Sequence, residues 1–337
     1  MSLTVGPFPD FGVLGAGTAF PSRTLSNLEV LKSLPPEAWG NRGRLPDEGA
    51  IAFAAQSLEQ TLGVQHRAWA DAGTTTLDLA KEAATKALRD AKLDRVDLLL
   101  VASSTPHRWT STLSAPLGAA LKLGCPCMDV RTGCAAALFG LANAALFHQA
   151  GARHVLLVGT ETFSKVIPKH HKMAAVSLGD GAGALVLGRV PGARLAAASM
   201  DTDGDLAGLV FTSGPLPPTR EAIDAGGYVL SGDAEGLRAT VPEKYVAAID
   251  AVLKGGPVDH YVPHQTSRDV IFEVCRRLGI PPQKAFINLH RHANIGAAGW
   301  VVALAEARAE RLKPNDRVLL AAVGGGMSWA AALWEWM

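Results

Sequence analysis

The sequence carries almost no net charge. Its 32 lysines and arginines meet 31 aspartates and glutamates across 337 residues, a formal balance of +1, so the chain as a whole has no electrostatic handle for nucleic acid or an anionic membrane. Any anionic ligand has to be met locally. The N-terminus lacks a basic region followed by an apolar core and a small-residue cleavage site, so no secretory signal is predicted and a cytoplasmic location is expected. Only four cysteines are present, Cys125, Cys127, Cys134 and Cys275. Without a secretion signal they predict no disulfide framework, and the CxC of Cys125 and Cys127 lacks the paired CxxC spacing of a zinc site. No metal is expected. The long uncharged run VLLAAVGGGMSWAAALW, residues 318 to 334, is cut by three adjacent glycines. Two short β-runs around a glycine turn fit it better than a membrane span, which needs roughly 20 apolar residues.

What is present is a globular composition, 48% hydrophobic and 19% charged, with 35 glycines that imply many tight turns. The chain also repeats itself. TLDLAKEAATKALRDAKLDRVDLLLVASSTP reads as an amphipathic helix followed by a buried strand, and VPEKYVAAIDAVLKGGPVDHYVPHQTS reads the same way again. At nearly equal distances beyond, the small-residue turns RTGCAAA and RHANIGAAG each precede a helix, and each helix is followed by an apolar strand. Strands alternating with helices, twice over, predict two α/β halves with mostly parallel central sheets. The boundary is placed near residue 190, in RVPGARL, giving halves 1–190 and 191–337 packed as one body. The Pro-rich TSGPLPPTREAIDAGG, residues 212 to 227, reads as a surface loop or lid.

Cys134 stands where the strand CMDV gives way to an alanine-rich helical run. There it is either a small buried hydrophobe or a nucleophile at a helix end, where the macrodipole and a nearby imidazole would lower its pKa. His264 lies at the carboxyl end of the strand HYVP, where α/β sheets present ligand-binding groups. Asn294 holds the place in the second half that Cys134 holds in the first.

The motifs DVRTGCAAAL, LGDGAGALVLG, VPHQTS, HANIGAAG and GGGMSW, in this order, resemble the thiolase-like condensing enzymes, closest to β-ketoacyl-acyl-carrier-protein synthase III. The resemblance runs over nearly the whole chain. It implies a thiolase-like five-layered αβαβα sandwich made of two duplicated halves, and a homodimer. It implies a catalytic set of Cys134 as nucleophile with His264 and Asn294, and Gly325 joining the Cys134 N–H in an oxyanion hole. No tightly bound cofactor is implied; the substrates would be coenzyme A or phosphopantetheine thioesters, as acyl-CoA or acyl carried on an acyl carrier protein.

Around the binding arm the match loosens. Ser267 stands where the family has asparagine and Arg268 comes one place early, so contacts to pantetheine would differ; a helix cap is the other reading of Thr266 and Ser267. Trp39 resembles the tryptophan that stacks on the coenzyme A adenine, with an insertion between it and Gly63. Arg67 falls where the family has an arginine near the nucleotide phosphates, and Lys172 at another nucleotide-contacting arginine. The basic stretch SKVIPKHHK, residues 164 to 172, could meet phosphopantetheine or an acidic carrier protein, or be a solvated loop. Trp109 matches the position that gates the partner's acyl pocket across the dimer, or is a simple interface aromatic. GAGTAF at Gly15 is no dinucleotide fingerprint, since Phe20 takes the third glycine's place. The adjacent His170 and His171 point apart and suit a metal poorly.

The resemblance therefore implies a decarboxylating Claisen condensation between an acyl group on Cys134 and a malonyl or β-ketoacyl thioester, with the motif departures tilting it toward polyketide or secondary metabolism. Two rivals are an acyltransferase delivering the same acyl group to a hydroxyl or amine, and a non-catalytic partner subunit. Asn294 argues against the first, because an enolate needs that donor, and an intact triad against the second.

Overall fold

A computed structural model describes residues 2–40, 44–168, 170–253 and 256–337. Nine strands form one continuous sheet: β1 (Leu3–Val5), β2 (Phe8–Ala19), β3 (Leu98–Ala102), β4 (Cys127–Val130), β5 (His154–Thr162), β6 (Asp180–Thr202), β7 (His260–Pro263), β8 (Arg317–Gly324) and β9 (Ser328–Glu335). The main helices are α1 (Thr76–Ala91), α2 (Ser114–Ala120), α3 (Ala136–Gln149), α4 (Ala234–Leu253), α5 (Arg268–Leu278) and α6 (Gly299–Glu310). The strand order is β7-β8-β9-β6-β5-β3-β4, with β1 and β2 also pairing with β6.

The duplication is visible in the pairing. In the first half β4, β3 and β5 run parallel and β5 turns into antiparallel β6; in the second, β7 and β8 run parallel and β8 turns into antiparallel β9. The expectation of mostly parallel sheets is corrected here, because the closing strand pair of each half and the pairing of β1, β2 and β9 with β6 are all antiparallel. The 23-residue β6 pairs with β5 through Gly188 and with β9 from Arg194 onward. Residue 190 lies inside this strand, which passes from one half's sheet into the other's.

Alternation along the strands sets the layers. Leu98 and Leu100 of β3 join one core with α3 and α6, while Leu99 and Val101 face the opposite core with Leu79, Ala83 and Ala87 of α1. In β8, Leu320 and Ala322 share the α3/α6 core, and Leu319 and Ala321 pack on the other side with Tyr245 and Ile249 of α4 and Val274 of α5. The order is α1/α2, sheet, α3/α6, sheet, α4/α5. These five layers explain why α3 and the first part of α6, Gly299 to Leu304, are apolar on every side while α1 is one-sided.

Local sequence fixes the elements. Thr75 and Asp78 form a capping box on α1, and α1 lies close on β2 because a Cβ at Gly15 or Gly17 would meet the carbonyl oxygens of Ala87 or Ala83 at 2.4 and 2.3 Å. Those glycines of GAGTAF serve helix packing. The run 318–334 forms the antiparallel pair β8 and β9 around a turn, and among the described residues no helix is long and apolar enough to cross a membrane. Part of the insertion after Trp39 is a helix, Glu48–Leu62, capped by Asp47. The Pro-rich segment is largely exposed and holds a short helix, Arg220–Asp224.

Candidate active site

Cys134 follows β4 and directly precedes the first turn of α3. Gly133 before it takes the left-handed conformation, φ +59°, which glycine adopts without steric cost. A Cβ there would lie 2.6 Å from the Gly325 nitrogen, and one on Gly324 would lie 2.4 Å from the Cys134 nitrogen. The two glycine turns therefore meet backbone to backbone, which sets the Cys134 and Gly325 peptide groups side by side at the junction of the halves. That arrangement suits an oxyanion, which is stabilised by peptide N–H groups aimed at one point.

His264 ends β7 and is 0% exposed. Its backbone N–H donates to Ala321 O (2.7 Å), and its carbonyl accepts from the Tyr245 hydroxyl (3.2 Å). The neighbouring Gln265 is also buried; it donates to Pro263 O and Phe286 O and accepts from Asn288 N–H, locking the strand end. The ring rests on the start of α6, where a Cβ on Gly299 would come within 2.8 Å of Nδ1. Neither ring nitrogen has a hydrogen-bond partner in the protein. Burial pushes its pKa down to about 3, so the imidazole is neutral at any physiological pH.

Asn294 is stitched across to the first half: its N–H donates to Ser177 O (2.9 Å) and its carbonyl accepts from Gly179 N–H (3.0 Å). Its side-chain oxygen accepts from Gly296 N–H (2.9 Å). That bond orients the amide and occupies one lone pair of its oxygen, and the NH2 end is the donor it can offer a ligand.

Two further residues link the neighbourhoods of these three. Tyr245, bonded to the His264 carbonyl, also feels the charge of Cys134. Glu161, on β5, acts electrostatically on Cys134 from another side and accepts from Ala297 N–H, three residues beyond Asn294. Burial, and secondarily Glu161, pushes the Cys134 thiol up to about 12 from an ordinary 9.0. This reverses the lowered pKa expected from sequence. Cys134 itself is half-buried; a helix terminus is worth at most about 2 kcal/mol to a charge, and a neutral His264 adds no positive charge to favour the thiolate.

The binding residues divide. Trp39 and Lys172 come together, with the Lys172 ammonium 4.6 Å from the centre of the Trp39 ring. Ser267 caps α5, accepting from Val270 N–H (3.4 Å), and Arg268, half-buried, packs its Cβ against Gly63. Arg67 is a correction. It is 0% exposed, and its guanidinium donates to Leu25 O (3.0 Å), Val176 O (2.8 Å) and the Asn27 side-chain oxygen. It ties the edge of the first half together, with its Nη groups spent on protein acceptors rather than facing solvent. Arg67→Met should lower the melting temperature, since each lost bond to a charged donor costs about 1.5–3 kcal/mol, while leaving the KM for a coenzyme A thioester unchanged. A raised KM with unchanged melting would restore the phosphate role.

In the basic stretch, Lys165 donates to Thr74 O (2.5 Å) and His171 caps the helix Lys172–Ser177; Lys169 lies outside the described residues. A cavity of about 430 Å³ is lined by Thr105, His107, Trp109, Arg131, Lys165 and Tyr228 among others. Trp109, 59% exposed, stacks on Tyr228 with ring centres 5.6 Å apart. All four cysteines are free thiols. Among the described residues there is no cluster of three or more His, Cys, Asp or Glu able to hold a metal. Sequence reasoning missed Glu161 and Tyr245; an acidic residue inside the apolar strand HVLLVGTETF was the available signal.

Residues 128–204 match the family model described as 3-oxoacyl-[acyl-carrier-protein (ACP)] synthase III, and residues 250–336 match that of its C-terminal part. The chain is 33% identical over 339 residues to beta-ketoacyl-[acyl-carrier-protein] synthase III of Allorhizobium ampelinum, covering 96% of this chain and 98% of that protein. It is 31% identical over 335 residues to the protein of the same name from Rhizorhabdus wittichii, covering 95% and 97%. Among solved structures, 3-oxoacyl-(acyl carrier protein) synthase III of Pseudomonas aeruginosa superposes with a TM-score of 0.83 at 26% identity, over 97% of this chain and 98% of that one. OleA of Xanthomonas campestris, 23% identical with a TM-score of 0.81 over 98% and 100%, shares the fold. With five layers built by duplication, and likeness along almost its full length to these synthases, the chain belongs to the β-ketoacyl-[acyl-carrier-protein] synthase III family.

Proposed function

We propose that the chain joins an acyl group, held as a thioester on Cys134, to a malonyl-type thioester by decarboxylating Claisen condensation. The observation that carries this reading is a buried, neutral His264 whose ring nitrogens are unclaimed by the protein, beside which the reading sets Asn294, its amide oriented by Gly296 N–H with the NH2 end to offer. A buried polar group without a partner costs about 1–3 kcal/mol, so such groups mark places kept for a ligand.

In the first step the Cys134 sulfur attacks the acyl thioester. Its proton passes through His264 to the departing thiolate, and the tetrahedral oxyanion takes hydrogen bonds from the Cys134 and Gly325 N–H groups, worth roughly 3 kcal/mol each. In the second, the malonyl thioester loses carbon dioxide, leaving an enolate. Its oxygen needs two donors, a ring N–H of His264 and the amide of Asn294. The enolate carbon then attacks the acyl carbonyl; the new C–C bond forms, the C–S bond breaks, and the Cys134 thiolate takes a proton from solvent, which balances the one given to the first leaving group.

The acyl donors and extenders in this reading are coenzyme A or acyl carrier protein thioesters, approached past Trp39 and Lys172. Because Lys172 already covers one face of Trp39, an adenine would stack on the other face or displace the ammonium. The protein acts as a cytoplasmic homodimer. Support for the dimer comes from β4, the last strand of the sheet, whose outer edge carries Met128 at 36% exposure; Trp109 would then meet the partner. The function is tested by giving the purified protein an acyl thioester and radioactive malonyl thioester together. Carbon dioxide and β-ketoacyl product in equal amounts support it; transfer of the acyl group to a hydroxyl or amine without carbon dioxide overturns it.

A further inference from the structure

Glu161 is a carboxylate where the fold has little reason to hold one. It is 0% exposed, on a strand whose other buried residues are apolar or small, and burying a charge is costly unless donors surround it. Donors do. Oε1 accepts from Ser104 N–H (2.9 Å) and Ala297 N–H (3.4 Å); Oε2 accepts from Thr105 N–H (3.0 Å), the Thr105 hydroxyl (2.6 Å) and the Ser103 hydroxyl (3.4 Å). Four of these five donors come from the first half, in the turn after β3. The fifth comes from the second half, in the turn that carries Asn294.

The pleat of β5 explains the placement. Gly159, Glu161 and Phe163 share one face at a spacing of two, and all three bear on that turn. A Cβ on Gly159 would lie 2.6 Å from Ala297 O; one on Gly296 would lie 2.6 Å from the Phe163 ring and 2.9 Å from Glu161 Cγ. Gly296, at φ +53°, is the residue whose N–H holds the Asn294 side-chain oxygen. The chain of contacts therefore runs Glu161, Gly296–Ala297, Asn294, and it crosses the junction between the halves.

We propose that Glu161 is a positioning residue: gripped by the Ser103–Thr105 turn, its carboxylate seats the Asn294 turn so that the Asn294 amide is aimed for the second half-reaction. It acts through Asn294 and does not touch substrate. The inference rests on the condensation reading, and it separates the two half-reactions, because acyl transfer to Cys134 needs Cys134, Gly325 and His264 but not the aim of Asn294.

The carboxylate also stands close enough to Cys134 to oppose thiolate formation. Tyr245 is within electrostatic reach of Cys134, and Arg131 and Lys165 line the cavity onto which Thr105, the partner of Glu161, opens. None of these basic groups is among the causes that shift Glu161, whose own acidity is weakened to a pKa of about 7 chiefly by burial.

Glu161→Gln keeps the shape, removes the charge and turns one acceptor into a donor facing other N–H groups. Single-turnover acyl loading of Cys134 and carbon dioxide release from malonyl thioester are measured separately on wild type and variant. Loading should stay within about threefold while release falls roughly a hundredfold, the scale of a misplacement of about 1 Å. Thr105→Val, which removes one bond to Glu161, should move release in the same direction by a smaller factor and serves if Glu161→Gln does not fold. Equal losses in both half-reactions, or no loss in release, overturn the proposal. A wild type that neither loads nor decarboxylates defeats the condensation reading instead. A second readout is iodoacetamide alkylation of Cys134 between pH 8 and 10: the Glu161→Gln profile should move to lower pH, and an unmoved profile overturns the placement of the carboxylate beside the thiol.

Discussion

Asn294→Ala should still accept an acyl group on Cys134 at close to the wild-type rate, and should lose carbon dioxide release from malonyl thioester by about a hundred- to a thousandfold. The size follows from removing one preorganised donor to a developing oxyanion, which costs about 2.7–4 kcal/mol, or two to three powers of ten at about 1.4 kcal/mol each. Alanine at this position keeps the backbone bonds to Ser177 and Gly179 and gives up one turn anchor, the side-chain bond from Gly296 N–H. His264→Ala should suffer in both steps, because the imidazole carries the thiol proton in the first and donates in the second. The pair thus gives a signature: one variant crippled in one half-reaction, the other in both. A parallel loss of loading and release in Asn294→Ala would mean that the amide does something other than hold the enolate.

The second large effect concerns the resting thiol. With Cys134 raised to about 12 and His264 lowered to about 3, the resting pair is a neutral thiol beside a neutral imidazole over the whole working range. Alkylation of Cys134 by iodoacetamide should therefore be slow at pH 7 and rise about tenfold per pH unit up to pH 10 without a plateau, since the thiolate is the reacting form. A plateau reached below pH 8 would show an activated thiolate held by the helix end, the state expected from sequence alone. For folding, the sign is the same. A thiol whose pKa is raised in the folded state contributes stability that is present below the unfolded pKa of about 9 and lost as pH rises toward 12. Glu161 works likewise in a lower window, its contribution fading as pH rises from 4.5 to about 7.

Much of the architecture is legible in the residues because local pattern and layer agree. The one-sided apolar face of α1, the all-round apolarity of α3, the uncharged strand β3 and the apolar run of β8 after Arg317 each state how many faces are buried. The glycine-cut run 318–334 reads correctly as a strand pair. Strand direction was less legible, since nothing in the composition of β6 or β9 distinguishes parallel from antiparallel pairing. The helix Glu48–Leu62 escaped because its apolar residues form only a weak stripe, with Ile51 and Leu62 buried and Phe53 exposed.

At the site, Cys134, His264 and Asn294 were found as motifs, whereas the roles of Arg67 and Glu161 depend on contacts no local window contains. Arg67 is 42 residues from Leu25 and 109 from Val176, the carbonyls that absorb it. Glu161 meets Ala297 across 136 residues. The reversed acidity of Cys134 has the same origin: the helix terminus is written next to it in the chain, but Glu161, which opposes its ionisation, comes from β5, and the Gly324 turn that packs on its backbone comes from the other half.

The most direct test weighs the intact protein after brief exposure to an acyl thioester, and repeats the measurement on Cys134→Ala. The account predicts a mass increase of one acyl group on the wild type, chased off by malonyl thioester with release of carbon dioxide, and no increase on the variant. An acyl adduct that persists in Cys134→Ala, or one on the wild type that malonyl thioester does not remove, would contradict it.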